Sequence, residues 1–549
     1  MEWTEEWMII LVLLFLMCWL LWSLPSKKSQ REKDDELFKA VKNFEDNIRS
    51  TEVRRHNLIK IKRLLDAGAN PNAQPLEDER SYGAGANVNV IDDQGRTILH
   101  WTTYLGEPRL VHKLLSAGAV VDPIDFDGCT PLLFVVASGR PIFKRLLFLE
   151  IAQQLINAGA NVNITDNQGK TILHWAAFLG ETKLVRKLLL AGALVDLLDN
   201  NRDTPLKLTC YGCYDEIGKE LLFLDVAQQL INAGANVNIV DKYGTTILHR
   251  AAYLGKPKLV RKLLSAGALV DPLDNSSNTP LLLLTVANNK IGNDELLFLD
   301  IAQQLINAGA DVNIVDKYGT TILHRAAYLG KPKLVRKLLS AGALVDPLDN
   351  RSNTPLLLLT VANNKIGNDE LLFLDIAQQL INAGADVNIV DKYGTTILHR
   401  AAYLGKPKLV RKLLSAGALV DPLDNRSNTP LLLTVADNRI SNDELLFLDI
   451  AQQLIFAGAN VNTIDNQGKS ILHLAAHLGK PKLVRKLLSA GALVDPLDNS
   501  SNTPLLLTVA NNKIGKELLF LDIAQQLINA GANVNAATRK ERLYTTFPR

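Results

Sequence analysis

The sequence predicts an all-α solenoid of helix-turn-helix repeats joined by hairpin turns, with one transmembrane helix ahead of it. Three observations predict this. The block 236–310 is followed by 311–385, a copy of the same 75 residues with two substitutions. The phrase I-L-H recurs with its histidine at His100, His174, His249, His324, His399 and His473. Within a copy, apolar residues return at i, i+3 and i+4, the spacing of one helix face. Units of this kind bury their apolar faces only against neighbours, so repetition decides the fold class before any side-chain chemistry does.

The chain opens on a tail, 1–6, and an uncharged run from Trp7 to Leu24, W-M-I-I-L-V-L-L-F-L-M-C-W-L-L-W-S-L. As a helix this run spans roughly 27 Å, about the hydrocarbon core of a bilayer. Glu2, Glu5 and Glu6 precede it, and Lys27, Lys28, Arg31 and Lys33 follow in the basic linker 25–34. That asymmetry predicts a single-pass membrane protein with the array on the cytoplasmic side. A cleaved signal peptide is the rival reading, and the acidic start and L-L-W-S-L-P-S-K-K exit argue against it. Five N-x-S/T triplets begin at Asn163, Asn275, Asn350, Asn425 and Asn499. Four of them recur at one repeat position, which is read as chance in an Asn-rich turn, and on a luminal array they would be expected to carry glycans.

Next, 35–73 reads as a polar amino-terminal repeat, with D-E-L-F-K-A-V-K-N at Asp35 to Asn43 and L-I-K-I-K-R-L-L-D-A-G-A-N-P-N at Leu58 to Asn72. The stretch 74–91 reads as a linker carrying the tail of a further repeat. The array proper runs from 92 to 535, and 536–549 is a tail. Each 75-residue unit has two halves with a shared ending: L-L-S-A-G-A-L-V-D at Leu263 to Asp271 is answered by L-I-N-A-G-A-D-V-N at Leu305 to Asn313. In the first half, Leu248, Ala251 and Ala252 and then Leu259, Val260, Leu263 and Leu264 mark two short helices. Gly255 separates them and Gly267 closes the second, as glycine does at a helix C-terminus. Asp-Lys-Tyr-Gly supplies the turn into the first halves at Asp241, Asp316 and Asp391.

These residues resemble the ankyrin repeat: a turn, a T-P-L-H-x-A-A helix, a glycine and a V-x-x-L-L-x-x-G-A helix. Twelve copies begin at Asp92, Asp125, Asp166, Asp199, Asp241, Asp274, Asp316, Asp349, Asp391, Asp424, Asp465 and Asp498. First halves read T-I-L-H and lose the proline; second halves read T-P-L-L and lose the histidine. The resemblance implies that His249 and its equivalents hold the backbone near the hairpin turn. Second halves also carry roughly nine extra residues between their helices, such as Asn288 to Glu295, where Asn293 or Asp294 would cap the helix beginning near Leu296. Insertions at one repeat position decorate one edge of a solenoid. The last repeat keeps interior-like apolar helices, which predicts an apolar end covered by 536–549 or by another chain.

Resemblance to ankyrin arrays further implies binding through the hairpin tips and the exposed positions of the first helix, along a concave face. The residue after the histidine and the one three further on share a helix face. They are Trp101 and Tyr104, Trp175 and Phe178, Arg250 and Tyr253, Arg325 and Tyr328, Arg400 and Tyr403, then Leu474 and His477. Tyr243, Tyr318 and Tyr393 add aromatics at hairpin tips. Arg, Tyr and Trp dominate interface hot spots, so this stripe is the candidate site for a protein or peptide partner with acidic and apolar groups.

Composition excludes other classes. With 60 basic against 57 acidic side chains the net charge is +3, and acidic residues such as Asp271, Asp274 and Asp300 interrupt any positive track, so no nucleic-acid partner is expected. Cys18, Cys129, Cys210 and Cys213 are too few to staple the array. Cys210 and Cys213 form half of a zinc motif without a second half. No phosphate-cradling loop, H-E-x-x-H helix or nucleophile elbow appears, so no catalytic residue, cofactor, metal or small-molecule substrate is expected. The resulting reading is a membrane-anchored scaffold, with a secreted or delivered effector that has lost its apolar start as the alternative and a nucleic-acid binder or enzyme ranked behind both.

Overall fold

The computed structural model describes residues 88–89, 91–137, 145–211, 220–286, 295–361, 370–435, 444–510 and 517–535, together with 32, 33, 36, 39, 40, 60, 61 and 63. Most of the expected amino-terminal repeat and partial repeat, the six lengthened inter-helix segments with Asn293 and Asp294, Cys213 and the tail 536–549 lie outside them. The chain divides into two units, 1–242 and 243–549.

In the first unit the helices are α1 (Ile98–Leu105), α2 (Pro108–Ser116), α3 (Pro131–Ala137), α4 (Arg145–Asn157), α5 (Ile172–Phe178), α6 (Thr182–Leu190), α7 (Pro205–Leu208) and α8 (Glu220–Asn232). First helices stack on first helices, α1 to α3 to α5 to α7, and second helices stack on second, α2 to α4 to α6 to α8. The second unit opens with α9 (Ile247–Tyr253), α10 (Pro257–Ser265), α11 (Pro280–Val286) and α12 (Glu295–Asn307), and the same four-helix period repeats to Asn529. Helix pairs thus stand at all twelve expected starts. The sequence dictates this packing, since Ile322, Leu323, Ala326 and Ala327 face inward at 0–1% exposure and the alanines let adjacent helices approach closely.

Hairpin turns join the repeats, and among the described residues there is no β-strand, only the isolated bridges Ile91 to Thr97 and Ile464 to Ser470. In each turn an aspartate carboxylate holds the backbone: Asp316 Oδ1 accepts from the amides of Tyr318 and Thr320 at 2.8 and 2.9 Å. Gly319 completes that turn at φ +73°, and a Cβ there would stand 2.8 Å from Asn350 Oδ1. Second halves place Ser277, Ser352, Ser427 and Ser501 at the same left-handed position, with φ between 58° and 62°. Turns join one another directly: Asn350 donates its amide to Tyr318 O at 3.0 Å and its Nδ2 to Lys317 O at 3.2 Å. Asn425 and Asn499 use their side chains in the same way, so these triplet asparagines serve turn geometry.

One expectation is overturned. Among the described residues no helix is long and apolar enough to cross a membrane. The longest helices, such as Glu295–Asn307 with 13 residues, reach about 20 Å at 1.5 Å per residue, short of a bilayer core. The single-pass membrane assignment and the cytoplasmic placement derived from it are corrected accordingly. Residues 7–24, on which both rested, lie outside the described residues. At the other end, Leu519, Leu521 and Ile528 are exposed, whereas interior copies cover these positions more fully.

Candidate partner-binding surface

The I-L-H histidine builds the frame on which the candidate side chains stand. In the copy at Asp316, Thr321 caps the helix, and His324 Nδ1 accepts the Thr321 amide at 3.1 Å. His324 Nε2 lies 3.0 Å from the carbonyl oxygen of Asn353 in the next repeat. A carbonyl only accepts and an amide N–H only donates, so this histidine is neutral with its proton on Nε2. The arrangement recurs at His100, His174, His249, His399 and His473. Burial lowers the imidazole pKa of His100, His174, His324, His399 and His473. Histidine thus takes the place of Glu or Gln in a capping box and ties each first half to the repeat after it.

The stripe position after the histidine carries a shared bond that the change from Trp to Arg conceals. Trp101 Nε1 donates to Asp92 Oδ2 and Trp175 Nε1 to Asp166 Oδ2, both at 2.9 Å. Arg325 and Arg400 reach the corresponding carboxylates, Asp316 Oδ2 and Asp391 Oδ2, at 2.5 Å. Burial acts to raise the Asp391 pKa, yet hydrogen bonds from Thr395 and Arg400 together hold it below the usual carboxylate range. Both arginines also reach back one repeat. Arg325 donates to Leu282 O at 3.0 Å and Asn278 Oδ1 at 2.9 Å, and Arg400 to Leu357 O at 2.9 Å and Asn353 Oδ1 at 3.0 Å. These guanidiniums therefore work as inter-repeat clamps. Leu474 has no donor to offer at that position. The cation moves with the swap: where Trp stands, Arg96 lies 5.6 Å from the Trp101 ring and Lys170 Nζ 4.6 Å from the Trp175 ring.

The structure gathers the nominated aromatics into separate places. In the first unit, Trp101, Tyr104 and Trp175 line a groove of about 420 Å³ with Phe134, Arg96 and Asp127. Trp101 and Tyr104 meet edge to face at 5.8 Å, as do Trp175 and Phe178 at 6.2 Å. Cys129 borders this groove, and burial pushes its thiol up to about 12, so it stays protonated. In the second unit, Tyr393, Arg400 and Tyr403 line a groove of about 520 Å³ with Arg426 and Asn425 of the next turn. Tyr253, Tyr328 and Tyr403 are half-buried and His477 is exposed. Tyr243, Tyr318 and Tyr393 stand at the turns with 58%, 61% and 60% of their surface exposed. Arg250 is half-buried on its helix.

Sequence reasoning missed one line of residues. The position before each turn aspartate in the second unit is aliphatic and exposed: Leu273, Val315, Leu348, Val390, Leu423, Ile464 and Leu497, between 46% and 59%. The signal was an apolar residue before each turn Asp of the second unit, outside the helices where the apolar periodicity lies. Among the described residues no group of three or more His, Cys, Asp or Glu side chains is placed to hold a metal ion.

Family models match most of the repeated part of the chain. The model described as ankyrin repeats (3 copies) matches 148–226, 222–297, 295–372, 371–447 and 440–538, and the single ankyrin repeat matches 127–167. The chain is similar to human transient receptor potential cation channel subfamily A member 1, 26% identical over 443 residues, 74% of this chain and 37% of the channel. It is similar to E3 ubiquitin-protein ligase KEG of Arabidopsis thaliana, 26% identical over 366 residues, 63% of this chain and 21% of the ligase. A third relative, mouse B-cell lymphoma 3 protein homolog, is 30% identical over 241 residues, 44% of this chain and 50% of that protein. The chain thus matches half or less of the length of each of these relatives.

Proposed function

This chain belongs to the ankyrin-repeat family, and from that premise we propose that it is a scaffold that captures a protein or peptide partner on its hairpin tips and on the exposed face of its I-L-H helices. Ankyrin repeats imply protein binding, and no catalytic step is assigned to this chain. The observation that carries the reading is the exposure of Tyr243, Tyr318 and Tyr393 at successive plain-repeat turns, with Tyr253, Tyr328 and Tyr403 on the helices that follow. A large aromatic ring left in solvent at a fixed repeat position is an interface residue type with a low ordering cost. The arginines of the stripe support the surface from beneath, since their donors are engaged across repeats.

The test is site-specific photocrosslinking in the full-length protein, with a benzophenone side chain at Tyr318, Tyr393, Tyr328 or Tyr403 and a control at Leu371. The proposal expects one partner trapped from the tyrosine positions and absent at Leu371, a residue more open to solvent than any of them. Trapping of the same protein at the control alone, or of none at the tyrosines, would refute it.

A further inference from the structure

Just after the turn aspartate, the exposed charges of four successive hairpin turns are all positive, while Asp311 and Asp386, exposed earlier in two of the same connections, accept from the amides of Asn313 and Asn388. The four cations are Lys317, Arg351, Lys392 and Arg426. Among the described residues none of the four makes an ion pair; the lysines lie 5.1 and 4.9 Å from the rings of Tyr318 and Tyr393. The aspartates of the same turns are engaged inward. Asp316 and Asp391 pair with Arg325 and Arg400, and Asp349 and Asp424 hold the amides of their own turns. Two or three residues before each cation stands an exposed aliphatic side chain, Val315, Leu348, Val390 or Leu423. One cation and one aliphatic group therefore recur together at each of these four repeats, a doubled line with positive charge along one side.

We infer that this line binds an extended acidic peptide segment carrying an aliphatic residue at every third position, which rests on the scaffold reading above and names its partner class. The period follows from geometry. Packed helices stand about 10 Å apart, so successive repeats present their pairs at about that spacing. A segment in the extended polyproline-II conformation advances about 3.1 Å per residue with three residues per turn, so it passes one repeat every three residues and keeps one face toward the array. An aliphatic residue then meets Val315, Leu348, Val390 and Leu423 in turn, and the two residues between them bring carboxylates to the cations. The duplication that made the copies nearly uniform turns one weak contact into four in register, which raises affinity through effective concentration.

The experiment is fluorescence anisotropy of the full-length protein with a labelled peptide of four Leu-Glu-Glu triplets. Comparison probes are a peptide of the same composition with its leucines clustered, a Leu-Lys-Lys analogue and a single-stranded oligonucleotide. The inference expects the acidic period-three peptide to bind at least tenfold tighter than every other probe, and added salt to weaken it. The variant Lys317→Glu/Arg351→Glu/Lys392→Glu/Arg426→Glu should lose at least tenfold, and Leu348→Ser/Leu423→Ser should also weaken binding, with unchanged thermal melts. Equal binding of the clustered peptide, tighter binding of the oligonucleotide or indifference to charge reversal would overturn it. If the acidic peptide fails to bind while crosslinks at Tyr328 and Tyr403 still trap a protein, this inference falls and the scaffold reading stands.

Discussion

At the residue scale, three features of this array have measurable consequences. Ser352 holds a left-handed backbone, φ 58°, where the plain repeats use glycine. A non-glycine residue there carries a cost of about 1–2 kcal/mol, so Ser352→Gly is expected to stabilise the protein by about 1 kcal/mol in denaturant melts. Lys207 is buried with Nζ 2.6 Å from Asp241 and 3.4 Å from Asp203, where sibling copies carry the neutral pair Asn278 and Leu282. Lys207→Met alone leaves buried carboxylates without their cation and should cost about 3–5 kcal/mol. Asp203→Asn/Lys207→Leu restores the sibling composition and should cost far less or nothing. The neutral histidines set an acid limit. Their folded pKa lies below the ordinary 6.5, so the unfolded chain takes up protons first as pH drops. Stability from this source is complete above about pH 6.5 and falls as pH drops toward the folded pKa values, by up to about 1.4 kcal/mol per pH unit for each histidine unfolding together. Thermal melts between pH 8 and 5 should show that direction, and a melting temperature unchanged between pH 7 and 5 would refute it.

At the element scale, the helix after each plain turn is built by one phrase doing two jobs. Thr or Ser and His cap its start, and the histidine reaches the next repeat; Trp101, Trp175, Arg325 and Arg400 then anchor the turn aspartates of their copies. The helices, their glycine breaks and the apolar faces were legible because each follows from spacing within a few residues. The roles of Arg325 and Arg400 were not, because their partners Leu282 and Leu357 lie 43 residues earlier in the chain. A sequence reading sees an exposed-position arginine and assigns it to a ligand; the fold gives it a carbonyl. Arg325→Leu should therefore cost about 1–3 kcal/mol of stability, read by chemical denaturation, through the carboxylate and carbonyl left without donors. The pre-aspartate aliphatic row escaped for the opposite reason. Nothing in one repeat shows that Leu348 stays uncovered once its neighbours are stacked.

At the scale of the whole molecule, stability and binding scale differently with repeat number. Each repeat contributes its own helices and one interface with each neighbour, so loss of core packing at Leu323 is expected to cost about 2–5 kcal/mol locally. Binding instead grows with the number of turns that present the same side chains in register. These two tasks belong to different residues: arginines on the helices hold repeats together, and tyrosines at the turns are proposed to meet the partner. The most direct measurement is partner affinity and melting temperature taken together on Tyr318→Ala/Tyr393→Ala and on Arg325→Leu/Arg400→Leu. The tyrosine variant is expected to lose affinity by tenfold or more with its melting temperature unchanged, and the arginine variant to melt lower. Full affinity in the tyrosine variant, with loss of binding in an arginine variant that melts normally, would contradict it.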